Sequence, residues 1–146
     1  ITQFTYFQQM LGVQCSPISV ELTYGLERIC MFVQEKSNVF DIIWNKDGVL
    51  YKDIYKENEK QFSKYNFELA NIDYLFNTFE NLEKEAKNLL LNRLPLPAYD
   101  HSLKASHIFN ILDSRGAIST AQRAGYISRI RDLAKEVGLK WLEEKK

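Results

Sequence analysis

Eight apolar residues, Ile72, Leu75, Phe76, Phe79, Leu82, Ala86, Leu89 and Leu90, step by three and four for about five helical turns. No other stretch constrains the fold as strongly, because a stripe of that length must bury itself against a second layer. The opposite positions, Asn77, Glu80, Asn81, Lys84 and Lys87, read as the solvated face. Leu94-Pro95-Leu96-Pro97 ends this helix, since each proline forces the residue before it out of the helical region, and Pro97 then suits the first turn of a following helix that reaches about Asp113. Ser119-Thr120-Ala121-Gln122 fits a capping box that opens a last helix through Ile127, Ile130, Ala134, Val137 and Trp141. Gly125 and Gly138 each weaken that helix by about 1 kcal/mol. Upstream, Ile54, Tyr55, Phe62, Tyr65 and Phe67 hold no single stripe, which predicts a break between Tyr51 and Glu68.

The first residues obey a different period. Thr2, Phe4, Tyr6 and Gln8 alternate with Ile1, Gln3, Thr5 and Phe7, as in a strand rich in β-branched and aromatic residues. Ile18–Tyr24 alternates again, and Gly12 with Cys15-Ser16-Pro17 reads as the loop joining two antiparallel strands. Gly25 then hinges the second strand into a helix carrying Leu26, Ile29, Cys30, Phe32 and Val33. The pattern predicts an α+β, mostly helical chain, divided into residues 1–38, which end an antiparallel sheet, and a helical region at 39–146.

Nineteen Lys and Arg cancel nineteen Asp and Glu, so no global field draws this chain to a polyanion. From Arg115 to the end, eight basic residues face four acids, the one local basic tilt. Apolar runs of a few residues fall far short of the roughly 20 needed to cross a bilayer. Cys15 and Cys30 are too few for a disulfide framework or a zinc site and read as buried thiols in a reducing, cytoplasmic compartment. Position 1 is an Ile that reads as mid-strand, so the chain is expected to begin partway through a domain.

Signatures of hydrolases, dinucleotide enzymes, P-loop proteins and zincins are missing, and His101 and His107, six apart, share no helix face. The informative cluster is Glu21-Leu22-Thr23-Tyr24-Gly25-Leu26-Glu27-Arg28. A glycine at a strand-helix joint lets a planar group approach the backbone, and an arginine beside it can stack on a base and fork onto a phosphate. Gln3 and Thr5 on the neighbouring strand add neutral polar contacts on one face. The set suits a nucleotide with a small amine-bearing partner held by Glu21, although a Glu-Arg pair opening a helix also serves as plain surface charge.

Five segments in order, TQFTYFQQ at 2–9, ELTYGLER at 21–28, YNFELANID at 65–73, LPLPAYD at 94–100 and ASHIFNILDSRGAIS at 105–119, resemble the bacterial glycyl-tRNA synthetase α subunit. TYGLER resembles motif 3 of class II aminoacyl-tRNA synthetases, and the run into Val39-Phe40-Asp41-Ile42 is also similar to alanyl-tRNA synthetases. The resemblance implies that the strands belong to a class II catalytic sheet and the helices to the C-terminal region of the α subunit. It makes Arg28 the catalytic motif 3 arginine, stacked on adenine and paired with the γ-phosphate of ATP, and Gly25 the residue that leaves room for adenosine. It places Glu21 against the glycine ammonium group and Gln3 and Thr5 in the floor of the glycine pocket.

The implied reaction uses glycine, ATP with Mg²⁺, and tRNA(Gly), in an α-subunit homodimer joined to a β subunit, and involves no membrane. The metal ligand is not designated. The family usually has Gly-Gly before a carboxylate and Cys, where this chain has Met10-Leu11-Gly12-Val13-Gln14-Cys15, and tends to have Gly where Val20 stands. Motifs 1 and 2 have no match here and are expected upstream of Ile1. The competing reading is a helical interaction module that keeps the ligase strands as scaffold.

Overall fold

The computed structural model describes residues 2–145. Strands β1 (Thr2–Met10) and β2 (Val13–Tyr24) form an antiparallel hairpin, followed by α1 (Leu26–Val33), a 3₁₀ turn (Val39–Asp41), α2 (Tyr51–Lys64), a π-helical turn (Tyr65–Leu69), α3 (Ile72–Leu91), α4 (Pro95–Ser114) and α5 (Thr120–Glu144). The α+β, mostly helical class follows directly from this order. The chain forms two compact units, one reaching Lys64 and one starting at Tyr65. Among the described residues, no helix is long and apolar enough to cross a membrane.

In the first unit, β2 runs through the Cys15-Ser16-Pro17 segment that the sequence assigns to a loop. The reversal itself takes only Leu11 and Gly12, at φ +56° and +79°. Between Phe7↔Ser19 and Gln9↔Gln14 the register slips, so the additional β2 residues are absorbed as a bulge facing Gln8. Pro17, which has no N–H to give the ladder, is tolerated there. Two consecutive left-handed residues make the turn type that matches strand twist and favours glycine. Leu11 occupies one of these positions at about 1–2 kcal/mol of local strain. Replacing Leu11, which is half exposed and has little burial to lose, by Gly is therefore expected to stabilise the hairpin by about 0.5–1 kcal/mol. Slower amide exchange across β1 and β2 is the readout, and faster exchange would contradict the assignment of strain.

The thiols also differ from expectation: Cys15 is half-buried and Cys30 exposed. Apolar neighbours in sequence predict burial only if their helix is itself covered, and α1 buries none of its residues.

The second unit is built on the α3 stripe. Asn71 caps α3 by accepting from the Tyr74 N–H, at 2.9 Å. Leu75 and Phe79 pack with Ala105, Phe109, Ile111 and Leu112 of α4, while Tyr126 and Ile130 of α5 close over them. A second cluster joins Ala86 and Leu90 to Ala98, Leu133 and Val137. Helix α4 begins at Pro95 and not at Pro97, because the first helical position needs no N–H. The capping box at Ser119 and Gln122 forms as predicted. Between Tyr51 and Glu68 the expected break is the π turn that starts at Tyr65.

Helical periodicity does not reveal Glu83, which is 8% exposed among these apolar residues. Arg129, from α5, donates to both Glu83 carboxylate oxygens and to Glu80 at 2.8 Å, and Lys87 reaches Glu83 at 3.0 Å. The guanidinium also lies 4.7 Å from the Phe79 ring centre and 5.1 Å from that of Tyr126. These donors, the Arg129 hydrogen bond first, hold the Glu83 carboxyl below its ordinary range, against burial. Its contribution to stability is complete above the ordinary glutamate pKa of about 4.3 and is lost as pH falls through the lower folded value. Glu83→Gln should cost about 1–3 kcal/mol at pH 7, a gap that narrows as pH drops below about 4. Denaturant titrations of both proteins at several pH values check this, and a pH-independent gap would remove the ion pair as its cause.

Candidate active site on the hairpin and first helix

Period-2 alternation and the register decide which hairpin residues meet. Thr5 stands opposite Glu21 and Gln3 opposite Thr23, so all four side chains project from one face. The other face carries Phe4, Tyr6, Val20, Leu22 and Tyr24, all at least half exposed in this structure. The hairpin therefore has one polar and one apolar side. The Glu21 carboxylate accepts a hydrogen bond from the Thr23 hydroxyl through Oε1. Thr5 is half-buried, and Gln3 and Glu21 are exposed. Val20 pairs with Tyr6 on the apolar side, away from Glu21. Gln14 pairs with Gln9 at the turn end, beyond the bulge.

β2 ends at Tyr24, and Gly25 is the N-cap of α1 with φ −81°, a conformation open to any residue. What the glycine supplies is space. A Cβ at position 25 would stand 3.3 Å from Cδ of Arg28, tighter than ordinary contact, and 3.5 Å from its Cγ. The aliphatic stem of Arg28 thus lies along the bare backbone of Gly25, a consequence of i, i+3 spacing in the first helical turn. The Arg28 guanidinium is exposed and makes no ion pair or hydrogen bond among the described residues. The structure therefore brings together Thr5 with Glu21, Gln3 with Thr23, and Gly25 with Arg28, and the chain itself leads from the strand face into the helix turn.

Behind α1, the Gln34 side chain fixes the following segment. It accepts from the Ile43 N–H at 2.7 Å and donates to the Ile43 carbonyl at 3.0 Å. Trp44 then donates its N–H to the Val49 carbonyl at 2.7 Å, and Asp53 accepts from the Leu50 N–H at 2.8 Å at the start of α2. Sequence reasoning passed over Gln34, because a glutamine in a polar run carries no periodic signal.

The histidines hold no place in this site. His101 donates through Nδ1 to the Pro97 carbonyl at 2.8 Å within α4, and His107 is exposed on the same helix. Among the described residues, no three His, Cys, Asp or Glu side chains converge as a metal site. Four of the eight basic residues from Arg115 onward are held within the fold: Arg115 donates to the Ala70 carbonyl, Arg123 pairs with Asp113, Arg129 with Glu80 and Glu83, and Lys140 with Glu143. A strand face bearing Gln3, Thr5 and Glu21 thus runs through Gly25 to an Arg28 that is unpaired among the described residues. The family model of the glycyl-tRNA synthetase alpha subunit matches residues 1–146, the whole of the sequence, and the chain belongs to that family.

Proposed function

We propose that this chain contributes the motif 3 part of a glycine–tRNA ligase active site. The observation that carries the reading is the unpaired Arg28 guanidinium, its stem laid along Gly25 at the end of the strand that bears Glu21. A side chain that no neighbouring acid holds is available to stack on adenine and to neutralise a γ-phosphate. Glu21 keeps a carboxylate on the polar face for the glycine ammonium group, with Thr5 opposite and Gln3 two residues along forming the pocket floor.

In the first step a glycine carboxylate oxygen attacks the α-phosphorus of ATP, forming glycyl-adenylate as pyrophosphate leaves. In the second, a tRNA 3′-terminal hydroxyl attacks the glycyl carbonyl carbon and AMP departs. Charge builds on the phosphates during attack, and Arg28 together with the Mg²⁺ that accompanies ATP offsets it. Since glycine offers no side chain to grip, larger amino acids are rejected by steric exclusion. The balanced net charge, with most basic residues of α5 already paired, favours leaving much of the tRNA contact to a β subunit in an α2β2 assembly in the cytoplasm.

The test is ATP–pyrophosphate exchange by the complete α subunit bearing this sequence, assembled with its β subunit. Exchange should depend on glycine and be at least about 100-fold weaker with alanine. Exchange that ignores glycine would overturn the reading.

A further inference from the structure

On the side of α1 that carries Leu26, Glu27 and Cys30, a cavity of about 330 Å³ opens against Ile42, Ile43, Trp44, Tyr51 and Tyr55. Three aromatic rings make one wall. Trp44 meets Tyr55 edge-on with ring centres 5.6 Å apart and Tyr51 at 6.1 Å, while Tyr51 and Tyr55 lie 4.6 Å apart. The Gln34 clamp on Ile43 and the Trp44–Val49 hydrogen bond fix this wall from behind. The Glu27 carboxylate is the one acid in the lining and has no ion pair or hydrogen bond among the described residues. Its charge acts on the wall: burial and then Glu27 raise the pKa of the Tyr51 phenol.

The same chain shows what such a set of groups holds. In the second unit, carboxylates from Glu80 and Glu83 and the faces of Phe79 and Tyr126 enclose the guanidinium of Arg129. Lys56 also lies over the half-buried Phe40 ring and Lys145 over Trp141, so two further rings of the chain have cations against them. The Trp44, Tyr51 and Tyr55 wall with Glu27 has the same chemistry and no cation against it among the described residues. A planar guanidinium suits it better than an ammonium, since it can stack on a ring while forking onto a carboxylate. We infer that this cavity is a receptor for an arginine side chain of a partner protein, with the guanidinium between Glu27 and the aromatic wall and the stem along Leu26.

The site is distinct from the Arg28 surface and stands without the ligase reading. Its test uses Nα-acetyl-arginine amide and its uncharged isostere Nα-acetyl-citrulline amide as probes, followed through the indole N–H resonances of Trp44 and Trp141. The arginine probe should shift the Trp44 signal saturably at millimolar concentration, with Trp141 as the unmoved reference. Citrulline should bind at least about tenfold more weakly, and Glu27→Gln should bring the arginine probe to the citrulline level. Glu27 is exposed and unpaired, so this variant is expected to keep its fold, which unchanged helical circular dichroism and an unchanged melting curve without probe would verify. Equal binding of the two probes, equal shifts at both tryptophans, or an effect untouched by Glu27→Gln would each overturn the assignment. Methylguanidinium binding as tightly as the arginine amide would overturn the side-chain source, because the stem would then add nothing.

Discussion

Arg28→Ala in the complete enzyme is expected to lower glycine-dependent ATP–pyrophosphate exchange by about 10²–10⁴-fold, the range set by removing one well-placed cation from a phosphoryl-type transition state. The structure makes this result interpretable. Arg28 is exposed, has no hydrogen bond or ion pair among the described residues, and touches the backbone of Gly25 mainly through its stem. Its removal should change folding stability by no more than about 0.5 kcal/mol, so lost activity with an unchanged melting curve points to chemistry. Arg28→Lys keeps the charge but loses the planar fork and the stacking surface, and should recover only a small part of the rate. Exchange within a factor of about three of the unmodified enzyme would take Arg28 out of the mechanism.

How far the sequence reveals this site depends on the range of the interaction concerned. Glu21 opposite Thr5 follows from period-2 alternation and a hairpin, and Gly25 beside Arg28 from helical spacing, because both are local rules of backbone geometry. Helix α3 and the Ser119 capping box are legible for the same reason. The bulge that lets β2 absorb Cys15-Ser16-Pro17 is not, since proline and serine mark a loop and a bulged strand alike. Exposure of Cys30 escapes prediction because burial depends on what covers α1, which its own residues do not encode. The Glu83–Arg129 pair joins helices 46 positions apart, and no period within either helix marks its members. The Glu27 cavity is similarly hidden: its rings come from a loop and α2, brought to α1 by the side chain of one glutamine.

Phe79→Ala should have the largest effect on stability of any substitution considered, about 3–5 kcal/mol. The ring is 1% exposed and stands where the apolar core of the second unit meets its charged network. One contact is edge-on with Tyr126, ring centres 4.9 Å apart, and another is with the guanidinium of Arg129. Truncation leaves a cavity and removes one of the two aromatic surfaces against the cation that neutralises Glu83, so the loss exceeds the transfer of a benzyl group alone. Small domains stand only about 5–15 kcal/mol above unfolding, so a loss of this size lowers the melting temperature by many degrees. Phe79→Leu, which fills much of the volume but offers no π face, should cost about 1–2 kcal/mol, and the difference reports cavity and ring contacts together. To separate them, each substitution is repeated in an Arg129→Met background: coupling of about 0.5–2 kcal/mol with Phe79→Ala assigns that share to the cation. Thermal unfolding followed by the helical circular dichroism of α3–α5 measures all five variants, Arg129→Met alone included. A Phe79→Ala melting curve that overlays the original would contradict the placement of this ring at the centre of the helical unit.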